Sequence, residues 1–533
     1  MTGLSGETDD PEPAIGSEKV EECGIESTAI KDNLSHESRK NDKDEEILRK
    51  VAAFLILWND SPLHEFMQNS RDDPLHPGML GWGQSRASAV SNVFFILGLL
   101  TPMGASLAAD TSLGRYKVLC ITFAFYLVGS VLLLVSSFPS STRFAAPVFL
   151  VSLVLIAVGI SGVNGLMAAF VGDQYPIQDR PIILVKKGER VIVDRDRTLE
   201  SIYNIYYWSI NMGGLSGLAT TELELHIGFW AAYLLPTCAL AFSAVILYVG
   251  RGRFTVVAAQ STAIPNAARV MCLGARGGFS LDKSKASHLQ RMHNRQVPWT
   301  DEFVEEVKRA LAACRIMFAA WPILWICRGQ ASNNLVSQAA QMQSSGIPND
   351  IMYNTNPIVI IICMPIVDRF LFPWLRRSGF ALTAVTRLVW GFALEALTMA
   401  MAAIVQHLIY RSGPCYEYPL DCTASEGGTI PNSASIFLQL PIFALEAFSE
   451  ILSAPAGYEL AFTMAPGSMK SVLQALFSTT GALGSSLSIA LSPLYKDPNM
   501  VIVYASLSIA MGVVTAMFYS IWGRKIKRTV VEK

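Results

Sequence analysis

The chain has 533 residues, 51% of them hydrophobic and only 16% charged, and its 42 Lys and Arg nearly cancel 43 Asp and Glu to a net charge of −1. That composition departs from a soluble domain and implies a membrane protein. The charge balance gives no reason to expect a nucleic-acid partner, and the 7 histidines form no ligand cluster; with no nucleophile motif either, no enzyme activity, metal or cofactor is expected.

Residues 1–50 mix Asp, Glu, Ser, Asn and Lys without apolar periodicity and without anything like a cleavable signal, and read as a disordered cytosolic tail. The first apolar stretch, VAAFLILW at 51–58, covers only about 12 Å at roughly 1.5 Å per residue, against a hydrocarbon core of roughly 30 Å. Asn59, Asp60, Ser61 and Pro62 follow it, so the first helix is expected to be short, broken or missing part of its sequence. Full runs then recur near 84–109, 117–137, 145–171, 202–221 and 227–249, and, after a polar segment, near 311–330, 353–373, 380–404, 435–455, 470–491 and 498–522. Each has roughly the 17–25 residues a helix needs to cross a bilayer, and none shows the two-residue alternation of a barrel strand. The expectation is an all-α integral membrane protein of twelve spans, divided into the tail 1–50, a helix bundle 51–250, a cytosolic linker with an amphipathic helix 251–310, a second bundle 311–523 and a cytosolic tail 524–533.

Lys and Arg collect at Arg115 and Lys117, between Arg251 and Arg309, at Arg369, Arg376 and Arg377, and from Arg524 to Arg528. Positive loops stay on the cytoplasmic side, and strictly alternating spans place all of these groups, with both termini, there. GASLAADTSLGRYK (104–117) and PIVDRFLFPWLRRSG (365–379) each set an Asp before an Arg at the end of a span. Asp110, Gly114, Arg115, Asp368 and Arg369 are therefore candidates for two matching charged turns that bridge helix ends in one conformation and release them in another. In the loop 172–200, PIILVKKGERVIVDRDRT alternates about Lys187-Gly188 and predicts a short hairpin.

Within the run 202–221, the stretch YNIYYWSINMGGL sets Asn211 among aromatics in an apolar helix. An amide there either glues helices together or offers a ligand both a donor and acceptors. Arg328, in the run 311–330, and Glu446 and Glu450, in the run 435–455, are ionisable groups where an unpaired charge is expensive, so each needs a partner or a cavity. Cys415 and Cys422 share a polar loop on the side opposite the arginines, where oxidising conditions favour a disulfide.

GASLAADTSLGRYK resembles the loop between the second and third helices of major facilitator transporters, in the form found in proton-dependent oligopeptide transporters, the POT/PTR family. YNIYYWSINMGGL is similar to that family's fifth-helix motif, and FSEILSAPAGYELAFTMAPGSMKSVLQA (448–475) to its tenth-helix glutamate region and the loop after it. NNLVSQAAQM with the following PND, and WTDEFVEEVKRALAACR, look like the family's fungal branch; the likeness runs in register over about residues 75–523.

The resemblance implies a major facilitator fold of two six-helix bundles, acting by alternating access as a monomer in the lipid bilayer of the plasma membrane, with small peptides and protons as the transported partners. It also implies that Glu450 holds a peptide's amino terminus, that Asn211 and Asn356 contact the peptide, and that Tyr203 and Tyr207 line the pocket. Two features depart from the family. Its first-helix Glu-x-x-Glu-Arg motif has no counterpart in 51–66, and Asn164, in GISGVNG, stands where the fourth helix carries a lysine. A neutral amide cannot pair with a carboxylate or relay charge as a lysine does. Asn164, Arg328 and Glu446 thus become the coupling candidates, and uptake is expected to depend weakly on external pH unless Glu450 or Glu446 takes over the proton. A transport-deficient peptide binder or nutrient sensor, and a transporter of another small nitrogenous solute, stand as alternatives on the same fold.

Overall fold

The computed structural model describes residues 66–67, 79–138, 144–175, 183–186, 189–192, 195–259, 263–276, 280–294, 296–332, 334–343, 355–380, 382–419, 422–426, 430–466 and 469–523. The expected tails 1–50 and 524–533 and the short apolar stretch 51–58 lie outside these described residues.

The chain forms two units. In one, strands β1 (Ile183–Lys186) and β2 (Glu189–Ile192) pair antiparallel, with Ile183 opposite Ile192 and Lys186 opposite Glu189. Lys187 and Gly188, where the hairpin turn is expected, lie outside the described residues.

The other unit is the helical body, and among the described residues each full apolar run is mainly helical in it, because a helix satisfies its own backbone where no water is at hand. The first half comprises α1 (Gly83–Ala108), α2 (Arg115–Ser136), α3 (Ala145–Asp173), α4 (Arg195–Gly214), α5 (Ser216–His226) and α6 (Phe229–Val249). The middle segment holds α7 (Ala263–Arg276) and α8 (Ala286–His293). The second half comprises α9 (Asp301–Ser332), α10 (Asn334–Ala340), α11 (Thr355–Ile366), α12 (Phe372–Arg377), α13 (Ala384–Arg411), α14 (Leu440–Met464), α15 (Lys470–Leu491) and α16 (Met500–Phe518). Among the described residues, 9 helical segments are long and apolar enough to cross a membrane. Their outward faces are greasy too: Ile362, Ile502 and Ile509 are 59%, 67% and 68% exposed, a surface suited to lipid rather than water.

The run 202–221 breaks in two at Leu215, directly after Gly213-Gly214, residues that weaken a helix by up to about 1 kcal/mol each relative to alanine. The two charged turns have one construction. α1 runs into a five-residue π turn, Ala109–Leu113, and α11 into another, Val367–Leu371, each with its aspartate in second place. After the first turn Gly114 adopts φ 82°, a region that penalises any side chain, and this reversal makes Arg115 the first residue of α2.

Helices α1 and α2 pack on α3, and α6 packs on α2; in the second half α13 packs on α14 and α16, and α9 on α15. The halves meet where α4 lies against α11 and α14, and where α15 lies against α1 and α3. The second half's core centres on Trp321, whose ring stands edge-on to Phe392 and to Phe477, both at 5.3 Å between centroids. The middle segment has its own small core of Val270, Leu289, Trp299, Val304 and Val307. Over that core Lys285 and Lys308 reach Asp282 at 2.8 and 2.6 Å, and their hydrogen bonds hold its carboxyl down at about 2. In the loop after α13, Cys415 and Cys422 are joined in a disulfide.

Candidate functional site

Two polar clusters join the halves. The first lies at the charged turns. Arg115 is 4% exposed, and the turn before it aims its guanidinium at three partners: Asp173 at the end of α3, Asp110 at 3.1 Å, and Ser471 Oγ at the start of α15, which accepts from Nε at 2.7 Å. Lys470 reaches Asp173 at 3.3 Å, and the Val472 N–H, in the first turn of α15, donates to Asp110 at 3.1 Å. Two carboxylates thus meet two cations and a helix N-terminus, so each buried charge has its counter-charge. Because α15 belongs to the second half, the network fastens the two halves at this end.

The matching turn does the same job less completely. Asn204 of α4 donates to Asp368 at 2.7 Å, and Arg376 of α12 pairs with Glu200 of α4. The ion pair to the first half is therefore made by Arg376, one helical segment beyond the expected Arg369. Arg369 and Asp368 instead line a cleft of about 340 Å³ between α4 and α11, with Ser201, Trp208 and Pro365.

The second cluster lies where α4, α9, α13 and α14 converge. Glu450 of α14 accepts a hydrogen bond from the Tyr207 hydroxyl at 2.5 Å and faces the Arg328 guanidinium at 3.7 Å. Arg328 also donates to Ser453 Oγ at 2.7 Å and lies against the Trp325 ring, so its charge is lodged within the second half rather than at a surface. Around this trio stand two further carboxylates, Glu446 at 4% exposure and Glu395 at 0%. Asn356, at the start of α11, lies against Glu446. Glu395 is brought here by Gly391 one turn earlier on α13, where an added Cβ would stand 2.7 Å from Ser453 Cβ; only the bare backbone lets α13 and α14 approach this closely.

The structure thus brings together Tyr207, Glu450, Arg328, Glu446 and Asn356. It places other expected residues elsewhere. Tyr203 is fully buried, one turn nearer the charged turns; its hydroxyl donates to the Ala168 carbonyl at 3.0 Å and its ring packs beside Phe462, so here it fills the α3–α4 contact rather than lining a pocket. Asn211 spends its amide donor on its own helix, on the Tyr207 carbonyl at 3.0 Å. Asn164 is exposed on α3 between buried Val163 and Gly165. Sequence reasoning missed Asp173, Lys470, Ser471, Glu200 and Glu395. For Glu395 a signal existed, a lone acid inside the apolar run 380–404.

Comparison with known proteins matches residues 116–509 to the POT family. Among curated relatives, peptide transporter PTR_A of Candidozyma auris is 38% identical over 480 residues, covering 89% of this chain and 80% of the relative. Peptide transporter PTR2 of Saccharomyces cerevisiae is 33% identical over 476 residues, covering 89% and 77%. The crystal structure of the POT family transporter PepTSo superposes with a TM-score of 0.60 at 18% identity, covering 91% of this chain and 97% of that one. The architecture is that of the major facilitator fold.

Proposed function

Because the chain belongs to the POT family, a family of transporters and not of enzymes, we propose that it carries small peptides across a membrane by alternating access, in symport with protons. The observation that carries the site assignment is the state of Glu450. Its side chain keeps 18% exposure while the carboxylates beside it are closed off, and it sits where α4 of one half meets α14 of the other. A peptide's terminal ammonium entering there replaces the loose contact with Arg328 by a charge-assisted hydrogen bond, which favours binding over remaining in water. Tyr207 holds the carboxylate from the α4 side, so ligand, Glu450 and Tyr207 together bridge the two halves. Asn211 and Asn356 complete the pocket once the side chains turn toward the peptide.

In this reading the Arg115 end and both termini face the cytosol, as the positive loops favour, and the membrane is the plasma membrane. At that end the halves are fastened, which supports a rocking cycle in which the Arg115 and Arg376 networks form and break as the pocket changes sides. The test is dipeptide binding and uptake by the purified chain in reconstituted vesicles, beside Glu450→Gln. Uptake by the native chain and its loss in the variant are expected. Binding without any uptake would favour a peptide binder or sensor, and no binding of any dipeptide would overturn the reading.

A further inference from the structure

Three carboxylates and one arginine in a single cluster pose a problem of charge. Glu395 is 0% exposed, and neither of its carboxylate oxygens has a hydrogen-bond donor among the described residues; one oxygen of Glu446 and the Nε of Arg328 are in the same condition. Ser449 lies close to Glu395, but its single hydroxyl proton goes to the Gly391 carbonyl at 2.8 Å. A fully desolvated carboxylate without donors is strongly disfavoured as an anion, whereas a carboxylic acid gives its own proton to a neighbouring oxygen. We propose that Glu395 and Glu446 form a buried acidic pair that takes up and releases the proton coupled to peptide movement. The proposal rests on the reading of the chain as a proton-coupled peptide transporter and names the group that serves in place of the absent first-helix motif.

The groups around Glu395 define the pair's chemistry. From α9 it faces Arg328 and Cys327, and from α14 Glu446 and Glu450; its own helix α13 places Arg387 two turns away, but that guanidinium is committed to Glu459. Helix α16, packed on the other side, contains no charged residue and only Tyr504 as a titratable group. One guanidinium among three ionised carboxylates leaves two uncompensated negative charges in a medium of low polarity. One proton on the acidic pair and one ammonium at Glu450 cancel both. The site is then neutral only when proton and peptide amine are both aboard, and a neutral site passes through the closed conformation of the rocking cycle far more readily than a charged one. The proton arrives from water when the pocket is open to one side, and it returns to water when the pair is exposed to the other. Neither Asn164 nor a lysine at that position is needed for this step.

The test uses the full chain in vesicles and separates coupling from binding. Two readouts are taken on the native chain, Glu395→Gln and Glu446→Gln: exchange of labelled for unlabelled dipeptide at equal pH on both sides, and accumulation of dipeptide against its gradient under an inward proton gradient. The native chain is expected to accumulate up to about tenfold for each pH unit of gradient, the limit for one proton per peptide. Glu395→Gln is expected to keep exchange, both variants are expected to lose accumulation, and Glu395→Gln is expected to melt no earlier than the native chain, since an amide replaces a neutral acid of the same shape. Infrared difference spectra should lose a protonated-carboxyl band in Glu395→Gln. Undiminished accumulation in both variants, or an unchanged carboxyl band, would overturn the proposal while leaving the peptide site standing. Absence of exchange in the native chain would instead strike at the transporter reading itself.

Discussion

At the charged turns of the two halves, nearly every buried charge has its opposite; at the Glu450 cluster, three carboxylates share Arg328. The difference separates two kinds of work. A balanced network is complete without a ligand and serves to hold one arrangement of the halves. A network short of positive charge suits the binding of cations, which on the proposed reading are a peptide's ammonium and a proton. On that reading, the same low-dielectric surroundings that make the first cluster a fastening suit the second to binding cations.

Breaking the balanced cluster should have the largest effect. Arg115→Gln leaves Asp110 and Asp173 with Lys470 as their remaining cation among the partners named, and removing one member of a buried pair costs on the order of 3–5 kcal/mol. A marked fall in melting temperature in detergent, with greater labelling of the Arg115 end by a water-soluble reagent, is expected; an unchanged melting temperature would mean the network is not a fastening. Glu450→Gln removes charge from the deficient cluster and should do the reverse, sparing stability while weakening dipeptide affinity by about 1.5–3 kcal/mol, roughly ten- to a hundredfold. Titration calorimetry measures this directly. The second turn is wetter, with Arg376 at 23% side-chain exposure, so Arg376→Ala should destabilise by about 1 kcal/mol at most once solvent screening is allowed for.

The smallest effect belongs to the middle segment. Asp282 is held at about 2, below its ordinary 3.8, so its ion pairs contribute stability above that ordinary value and lose it only as pH falls toward the lower one. Asp282→Asn should leave uptake and its dependence on pH unchanged from about pH 5 to 8; a shifted pH profile for uptake in this variant would tie the segment to coupling.

Much of this arrangement is legible in the residues. The apolar runs mark the helices because a membrane span must be long and apolar, and the Asp-to-Arg turns announce themselves by charge at helix ends. The partners of those turns are less visible. Asp173, Lys470 and Ser471 are ordinary residues in sequence, brought to Arg115 by packing between chain segments 58 to 356 positions apart. Tyr203 shows the converse: its motif suggests a pocket, yet a step of one helical turn from Tyr207 moves it out of the site and into the contact with α3. Arg328 is puzzling in sequence and explained by structure, since the cost of its burial is met by Glu450 and Ser453 on a helix more than a hundred residues away. Glu395 had the clearest signal of all, an acid inside an apolar span, but only the approach of α13 to α14 at Gly391 reveals which groups it faces.

On the proposed reading, the deficient cluster recognises a peptide by its terminal ammonium at Glu450. Calorimetric titration of the purified chain with a dipeptide and with the same dipeptide acetylated at its amino group tests that most directly. Binding of the free dipeptide, little or none of the acetylated one, and no discrimination between them by Glu450→Gln are expected. Equal binding of both ligands by the native chain would contradict it.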